Sequence, residues 1–291
     1  MRAWLAQYSM ERASSLDDAL ARLAAQPKYW TPFAGGTDLM VVLETGKMPP
    51  RNFLDISAIS DLRGIQATTS HVSIGALATY TDLLETSVIP TEFPLIAEAA
   101  RQTGAIAIQN RGTVGGNIAN ASPAADLPPA LLVYDAELEV ASVRGRRWIP
   151  YDRFHIGYKQ MDLAADELIV ATRMPRRRVG AGFSRPESWK QTYRKVGTRR
   201  AQAISKICFA AAVHIEGSRV IDARLALGSV APTVVRARAA EQVLQAGDVS
   251  TETIRRARVA LENEIAPIDD IRSTADYRRR VAGNLLEEFL G

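Results

Sequence analysis

A chain of 291 residues with 47% hydrophobic and 23% charged positions can bury a substantial core, which excludes a disordered or fibrous polymer. Its single cysteine, Cys208, excludes an internal disulfide and any iron–sulfur cluster ligated by this chain's cysteines alone. A formal net charge of +4 does not by itself define a nucleic-acid protein, and no apolar run reaches the length of a membrane span or signal peptide, so the expected compartment is the cytoplasm.

Residues 14–25 place apolar side chains at 16, 19, 20 and 23 behind Ser14, with Asp17 and Asp18 in the first turn, and predict an amphipathic helix. The apolar stretch Tyr29-Trp30-Thr31-Pro32-Phe33 follows, then Ala34-Gly35-Gly36-Thr37-Asp38-Leu39, then the apolar 40–43, which reads as strand, tight turn and helix start. Adjacent glycines let main-chain N–H groups turn toward one centre, the chemistry of an anion site. This loop has neither the G-x-G-x-x-G spacing of a dinucleotide turn nor the Lys-Ser/Thr pair of a P-loop. The plainer alternative is a β-turn closed by a Thr/Asp helix cap. Asp38 is expected to be that cap, with its charge turned away from any anion.

Strand signals at 53–56 and 71–76 complete a small opening α/β unit, and helices are predicted at 81–85 and 93–103. A second glycine loop, Arg111-Gly112-Thr113-Val114-Gly115-Gly116-Asn117, runs into the small residues 119–125 and then Asp126. Short side chains let a ligand approach closely, and the carboxylate can accept hydrogen bonds from a ribose. Together the two loops fit a dinucleotide. Strands are predicted at 137–143, 147–150 and 166–175, and the Arg/Gly/Pro/Ser-rich interval 176–186 marks a boundary. Strands at 192–196, 203–213 and 219–228 and three helices finish the chain; the last starts at Ser273-Thr274-Ala275-Asp276 and buries Tyr277, Val281, Leu285, Leu286 and Phe289.

Cys208, inside the apolar run 204–213, reads as a buried structural thiol. His71, His155 and His214 show no ligand spacing, and no metal is assigned to the chain. The arginine clusters at 176–178, 199–200 and 278–280 lack aromatic interleaving, so they read as a solvated face or subunit contact rather than a nucleic-acid surface.

The two loops, Ala-Gly-Gly-Thr-Asp-Leu and Arg-Gly-Thr-Val-Gly-Gly-Asn-Ile-x-x-x-Ser-Pro-x-x-Asp, resemble those of the FAD-binding medium subunit of the molybdenum hydroxylases, the family of xanthine dehydrogenase and carbon monoxide dehydrogenase flavoprotein chains. Length, loop spacing and the pattern Asp270-Ile271-Arg272-Ser273-Thr274-Ala275-Asp276-Tyr277-Arg278 extend the resemblance over nearly the whole chain. It implies an α+β protein. Residues 1–176 would form a vanillyl-alcohol-oxidase/p-cresol-methylhydroxylase-type FAD-binding fold of two α/β subdomains, about 1–56 and 57–176. Residues 187–291 would form a C-terminal domain of an antiparallel sheet with a helix bundle.

The resemblance further implies that FAD lies between the two N-terminal units, its pyrophosphate held by both loops. Carried over residue by residue, the cofactor-binding positions are Thr31, Pro32, Phe33, Ala34, Gly35, Gly36, Thr37, Asp38, Leu39, Thr113, Val114, Gly115, Gly116 and Asn117. To these it adds Thr103 at a helix end, Asp126 toward the ribose, Ile169 against the flavin or adenine, and Lys195 from across the domain cleft. Relatives carry an Asp before the apolar run of that C-terminal strand, where this chain has Ala203-Ile204.

No catalytic acid or base in this chain is required, because the redox chemistry belongs to the flavin. The implied partners are a large molybdopterin-binding subunit and a small [2Fe-2S] subunit, in a dimer of heterotrimers that delivers electrons to NAD, a quinone or oxygen. Two alternatives stand beside this reading: a self-contained FAD oxidoreductase of the same fold, and a basic protein that binds a phospholigand or nucleic acid.

Overall fold

The computed structural model describes residues 7–46, 48–49, 51–176, 178–179, 182–183, 189–199 and 202–291. The first six residues, Arg177, Arg200 and much of the expected boundary at 176–186 lie outside the described residues.

The chain opens with β1 (Ser9–Arg12), α1 (Leu16–Ala25), β2 (Trp30–Phe33), α2 (Leu39–Glu44) and β3 (Asn52–Asp55). β3 lies between β1 and β2 and pairs parallel with both, because each helical crossover returns the chain in the same direction. α1 buries Leu16, Ala19, Leu20 and Leu23 as its periodicity predicts. Its cap is Ser15, whose side chain accepts from the Asp18 N–H, while the Asp18 carboxylate reaches back to the N–H of Ser14 at 2.8 Å. Ser14, the expected cap, is thus the donor of a reciprocal pair one residue upstream.

A larger unit follows: β4 (Ile65–Ala67), β5 (His71–Gly75), α3 (Tyr80–Glu85), α4 (Val88–Glu92), α5 (Pro94–Gln102), α6 (Ile106–Gln109), α7 (Val114–Ala119), α8 (Leu127–Val133), β6 (Glu137–Ser142), β7 (Gly145–Pro150), β8 (His155–Gly157), β9 (Gln160–Met161) and β10 (Leu168–Pro175). Five strands form an antiparallel sheet in the order β4-β5-β10-β6-β7. Its buried face, with Ile74, Val140 and Met174, packs on Ile96, Ile118 and Leu131 of the helices.

The remainder comprises β11 (Arg178–Val179), β12 (Gly182–Phe183), β13 (Trp189–Val196), β14 (Ile207–Glu216), β15 (Arg219–Gly228), β16 (Val235–Arg236), α9 (Arg238–Gln245), α10 (Thr251–Glu264) and α11 (Ala275–Leu290). β13 to β16 make a four-stranded antiparallel sheet in sequence order. The strand period of two explains why β14 is apolar throughout. Ile207, Phe209, Ala211 and Val213 face the three helices, and Cys208, Ala210 and Ala212 face the core of the preceding unit. The second set is small, so the sheet lies close against α8. The expected α+β class, with an FAD-type N-terminal portion and a C-terminal antiparallel sheet under helices, is what the structure shows.

The arginine clusters correct the sequence reading. Arg176 pairs with Glu92 at 2.6 Å, Arg199 binds the Gln202 carbonyl, and Arg278 is only 3% exposed. From α11, Arg278 donates to the Ser229 carbonyl at 2.7 Å and to Asp270 at 2.6 Å, which clamps the last helix to the β15 end. A charge among charges looked solvated in sequence, but the helix register turns this one inward.

Burial alone would raise the Asp270 carboxyl, but the N–H groups of Arg272 and Ser273 and the Arg278 guanidinium hold it below the ordinary carboxylate range. With the folded pKa below the unfolded one, its stabilisation is present above about pH 4 and is lost as pH falls through the folded value. Asp270→Asn is therefore expected to cost about 1–3 kcal/mol at neutral pH and to make stability fall less steeply in acid. Urea unfolding of both chains at neutral pH and at about pH 3 measures this, and parallel losses in the two chains would contradict it.

No helix among the described residues is long and apolar enough to cross a membrane.

Candidate functional site

The first glycine loop leaves the C-terminal end of β2 and turns over the edge of the parallel sheet. Gly36 has φ +76°, a left-handed conformation, and a Cβ there would lie 2.5 Å from the Phe33 ring, which folds back under the turn and meets Phe53 edge-on. At Gly35 the constraint comes from the other loop: a Cβ would stand 1.8 Å from the carbonyl oxygen of Arg111, in the second loop. The two loops therefore touch backbone to backbone. The N–H groups of Gly35, Gly36, Thr37 and Asp38 have no acceptor among the described residues. Successive unpaired amides around a left-handed residue form a nest that suits an anion.

The second loop is built differently. Thr113 caps α7, its hydroxyl accepting from the Gly116 N–H at 3.1 Å. The N–H of Val114 donates to the Ala78 carbonyl at 2.9 Å, that of Gly115 to Ala76 at 2.8 Å, and that of Asn117 to Thr113 at 2.9 Å. Gly115 is required because a Cβ would collide with Ala76 at 2.7 Å. Ala76 in turn donates to the Val170 carbonyl at 2.9 Å, so this loop is fastened to β10 beside the buried Ile169. The amides of the second loop thus hold it in place, and the open donors belong to the first. The side-chain oxygen Oδ1 of Asn117 is buried without a partner among the described residues.

Beneath both loops lies Tyr80, buried, with its ring 3.0 Å from where a Cβ of Gly112 would be. Burial and the nearby carboxylates of Asp126 and Asp38 push its hydroxyl well above the ordinary tyrosine range. Asp38 itself differs from expectation. It occupies the position before α2 but makes no side-chain capping bond, and its carboxylate acts on Tyr80 and on the ammonium of Lys159. Lys159, at the β8–β9 turn, donates to the Asn120 side chain at 2.7 Å and to its carbonyl. Burial pulls the Lys159 ammonium below its usual value, with Asp38 opposing.

On the other side, Asp126 and Lys195 meet. Lys195 Nζ donates to Asp126 Oδ2 at 2.7 Å and to the Gln102 carbonyl at 2.8 Å. Cys208 directs its thiol to Asp126 Oδ1 at 3.3 Å, and Tyr193 donates to the Asp126 carbonyl at 2.9 Å. Burial drives the Asp126 carboxyl up while the Lys195 charge draws it down. These contacts join the α5–α8 region to the C-terminal sheet. Thr103, also buried, closes α5 by donating to the Ala99 carbonyl at 2.8 Å.

The structure thus brings 31–39 and 113–117 together through the Gly35–Arg111 contact, sets Ile169 next to the Val170 that anchors Ala76, and joins Asp126 and Lys195, close to Thr103, at the junction with the last sheet. Sequence reading missed Tyr80, Lys159 and the Cys208–Asp126 contact. The sequence predicts the α3 start at 81, one residue beyond Tyr80, whereas the capping box of Thr79 and Asp82 begins the helix at Tyr80.

The family model described as the FAD binding domain in molybdopterin dehydrogenase matches residues 6–177, and the CO dehydrogenase flavoprotein C-terminal domain matches residues 191–291. The chain is 33% identical to the xanthine dehydrogenase FAD-binding subunit of Escherichia coli O157:H7, covering 97% of this chain and 94% of that one. It is 29% identical to the carbon monoxide dehydrogenase medium chain of Hydrogenophaga pseudoflava, over 98% and 96% of the two chains. The solved carbon monoxide dehydrogenase from Hydrogenophaga pseudoflava, in a form lacking the Mo-pyranopterin moiety of its molybdenum cofactor, superposes with a TM-score of 0.89 at 30% identity, covering 97% of this chain.

Proposed function

This chain belongs to the family of FAD-binding medium subunits of molybdenum hydroxylases, and from that premise we propose that it is the electron outlet of a heterotrimeric hydroxylase or dehydrogenase. The observation that carries the reading is the first-loop nest: amides at residues 35–38 that have no acceptor among the described residues. This donor set, with no Cβ at Gly35 or Gly36, fits the pyrophosphate of FAD.

The holding residues would be Thr31 to Leu39, Thr103, Thr113 to Asn117, Asp126, Ile169 and Lys195, within an FAD-binding part at 1–176 and a flavoprotein C-terminal part at 187–291. When bound, FAD supplies the redox chemistry, accepting and releasing electrons one or two at a time. The chain's own residues do the rest. The first-loop amides offset phosphate charge. Asp126, although bonded to Lys195 and Cys208, keeps spare lone pairs for ribose hydroxyls. Lys159 offsets the Asp38 carboxylate, which would otherwise repel the phosphates.

The proposal continues to the partners: a large subunit with the molybdenum cofactor and a small subunit with [2Fe-2S] clusters feed electrons to this FAD, which passes them to NAD, a quinone or oxygen. Two such trimers pair. Names such as medium chain and FAD-binding subunit among the relatives support the multi-subunit reading. So does an apolar exposed patch on α2, where Met40 is 44%, Val41 59% and Val42 44% exposed beside Met10 at 52%. Affinity purification of the tagged chain from its native cells tests this: molybdenum and iron should co-elute with FAD. A lone chain that turns over a substrate with FAD alone would contradict it.

A further inference from the structure

We infer that Arg111 is the charged partner of the cofactor's pyrophosphate, an inference that rests on the FAD reading above. Two phosphates bring two negative charges into a cleft that already holds the Asp38 carboxylate. In the second loop, the amides of Val114, Gly115, Gly116 and Asn117 are all committed to acceptors within the chain. The first loop offers its unpaired amides, which are dipoles and carry no net charge.

Arg111 stands between the two loops. Its carbonyl packs on Gly35, and its Nε donates to the Gly35 carbonyl at 3.3 Å. That single bond anchors the guanidinium beside the nest, and its two terminal nitrogens have no partner among the described residues. A planar fork held at one nitrogen and open at the other two matches the geometry of a phosphate oxygen pair. Lys159 supplies no equivalent, because it is spent on Asn120 and faces Asp38. The side chain of Arg111 is exposed, so it is not needed to hold the fold.

The test compares FAD with riboflavin, which has the same ring system and no phosphate, by flavin fluorescence titration of the apoprotein. Arg111→Gln should weaken FAD binding about ten- to a hundred-fold and leave riboflavin binding unchanged, and Arg111→Lys should recover part of the FAD affinity. The FAD dissociation constant of the wild type should also rise more steeply with added salt than that of Arg111→Gln. Unchanged FAD affinity in Arg111→Gln, or equal weakening of FAD and riboflavin, would overturn the assignment. A wild-type chain that binds no FAD would overturn the cofactor reading itself.

Discussion

Gly35→Ala is expected to abolish high-affinity FAD binding. The added methyl would sit 1.8 Å from the Arg111 carbonyl oxygen and 2.7 Å from its carbon, both main-chain atoms of a loop pinned by hydrogen bonds to Ala76 and Ala78. Neither side can yield by rotating a side chain, so the loops must separate. Overpacking of this kind costs about 1–3 kcal/mol of stability. The larger effect falls on the ligand, since a shift of about 1 Å in preorganised donors costs on the order of a hundred-fold. Gly46→Ala is the control: it also has a left-handed backbone, at φ +69°, but nothing lies within 4 Å of its Cβ. That change should cost about 1–2 kcal/mol of stability and leave FAD affinity alone. Flavin titration and thermal melting of both variants decide the matter, and near-native FAD affinity in Gly35→Ala would contradict the contact between the loops.

The second large effect is expected at the junction with the C-terminal sheet. The Lys195 side chain is 8% exposed and that of Asp126 11%. Removing one member of a buried pair leaves the other charge uncompensated, at a cost of about 3–5 kcal/mol. Asp126→Asn strands the Lys195 ammonium on the Gln102 carbonyl, and Lys195→Met strands the carboxylate on the Cys208 thiol. The double variant Asp126→Leu/Lys195→Met removes both charges and should be less destabilised than the sum of the singles. Urea unfolding of the three variants measures the coupling. Single losses below about 1 kcal/mol, as for a surface pair, would show that the α5–α8 region and the C-terminal sheet do not depend on this contact.

Much of this was legible before any coordinates. The Leu285, Leu286 and Phe289 stripe of α11, the apolar run of β14 and both glycine loops are local patterns, and local patterns survive in sequence, although Tyr277 and Val281, expected to be buried, are only half-buried. What was hidden depends on partners far along the chain. Lys195 and Asp126 were each noted, but nothing in the sequence says that residues 69 apart bond to one another. Whether a loop amide is open or spent depends on carbonyls such as those of Ala76 and Ala78, and every residue has a carbonyl, so composition is silent about it. Asp38 illustrates the same limit: its residue type suits a helix cap, but its backbone is already helical there and its side chain makes no capping bond. Arg278 was misread because one inward position in a basic run looks like its neighbours. β1 was missed because its four residues, all exposed, show no alternation.

The central claim is that this chain holds FAD in the cleft between its glycine loops. The most direct measurement is the visible absorbance spectrum of the purified chain, followed by acid release and chromatographic identification of what comes off. The account predicts a flavin spectrum and FAD in near-stoichiometric amount. A colourless chain that also takes up no added FAD would contradict it.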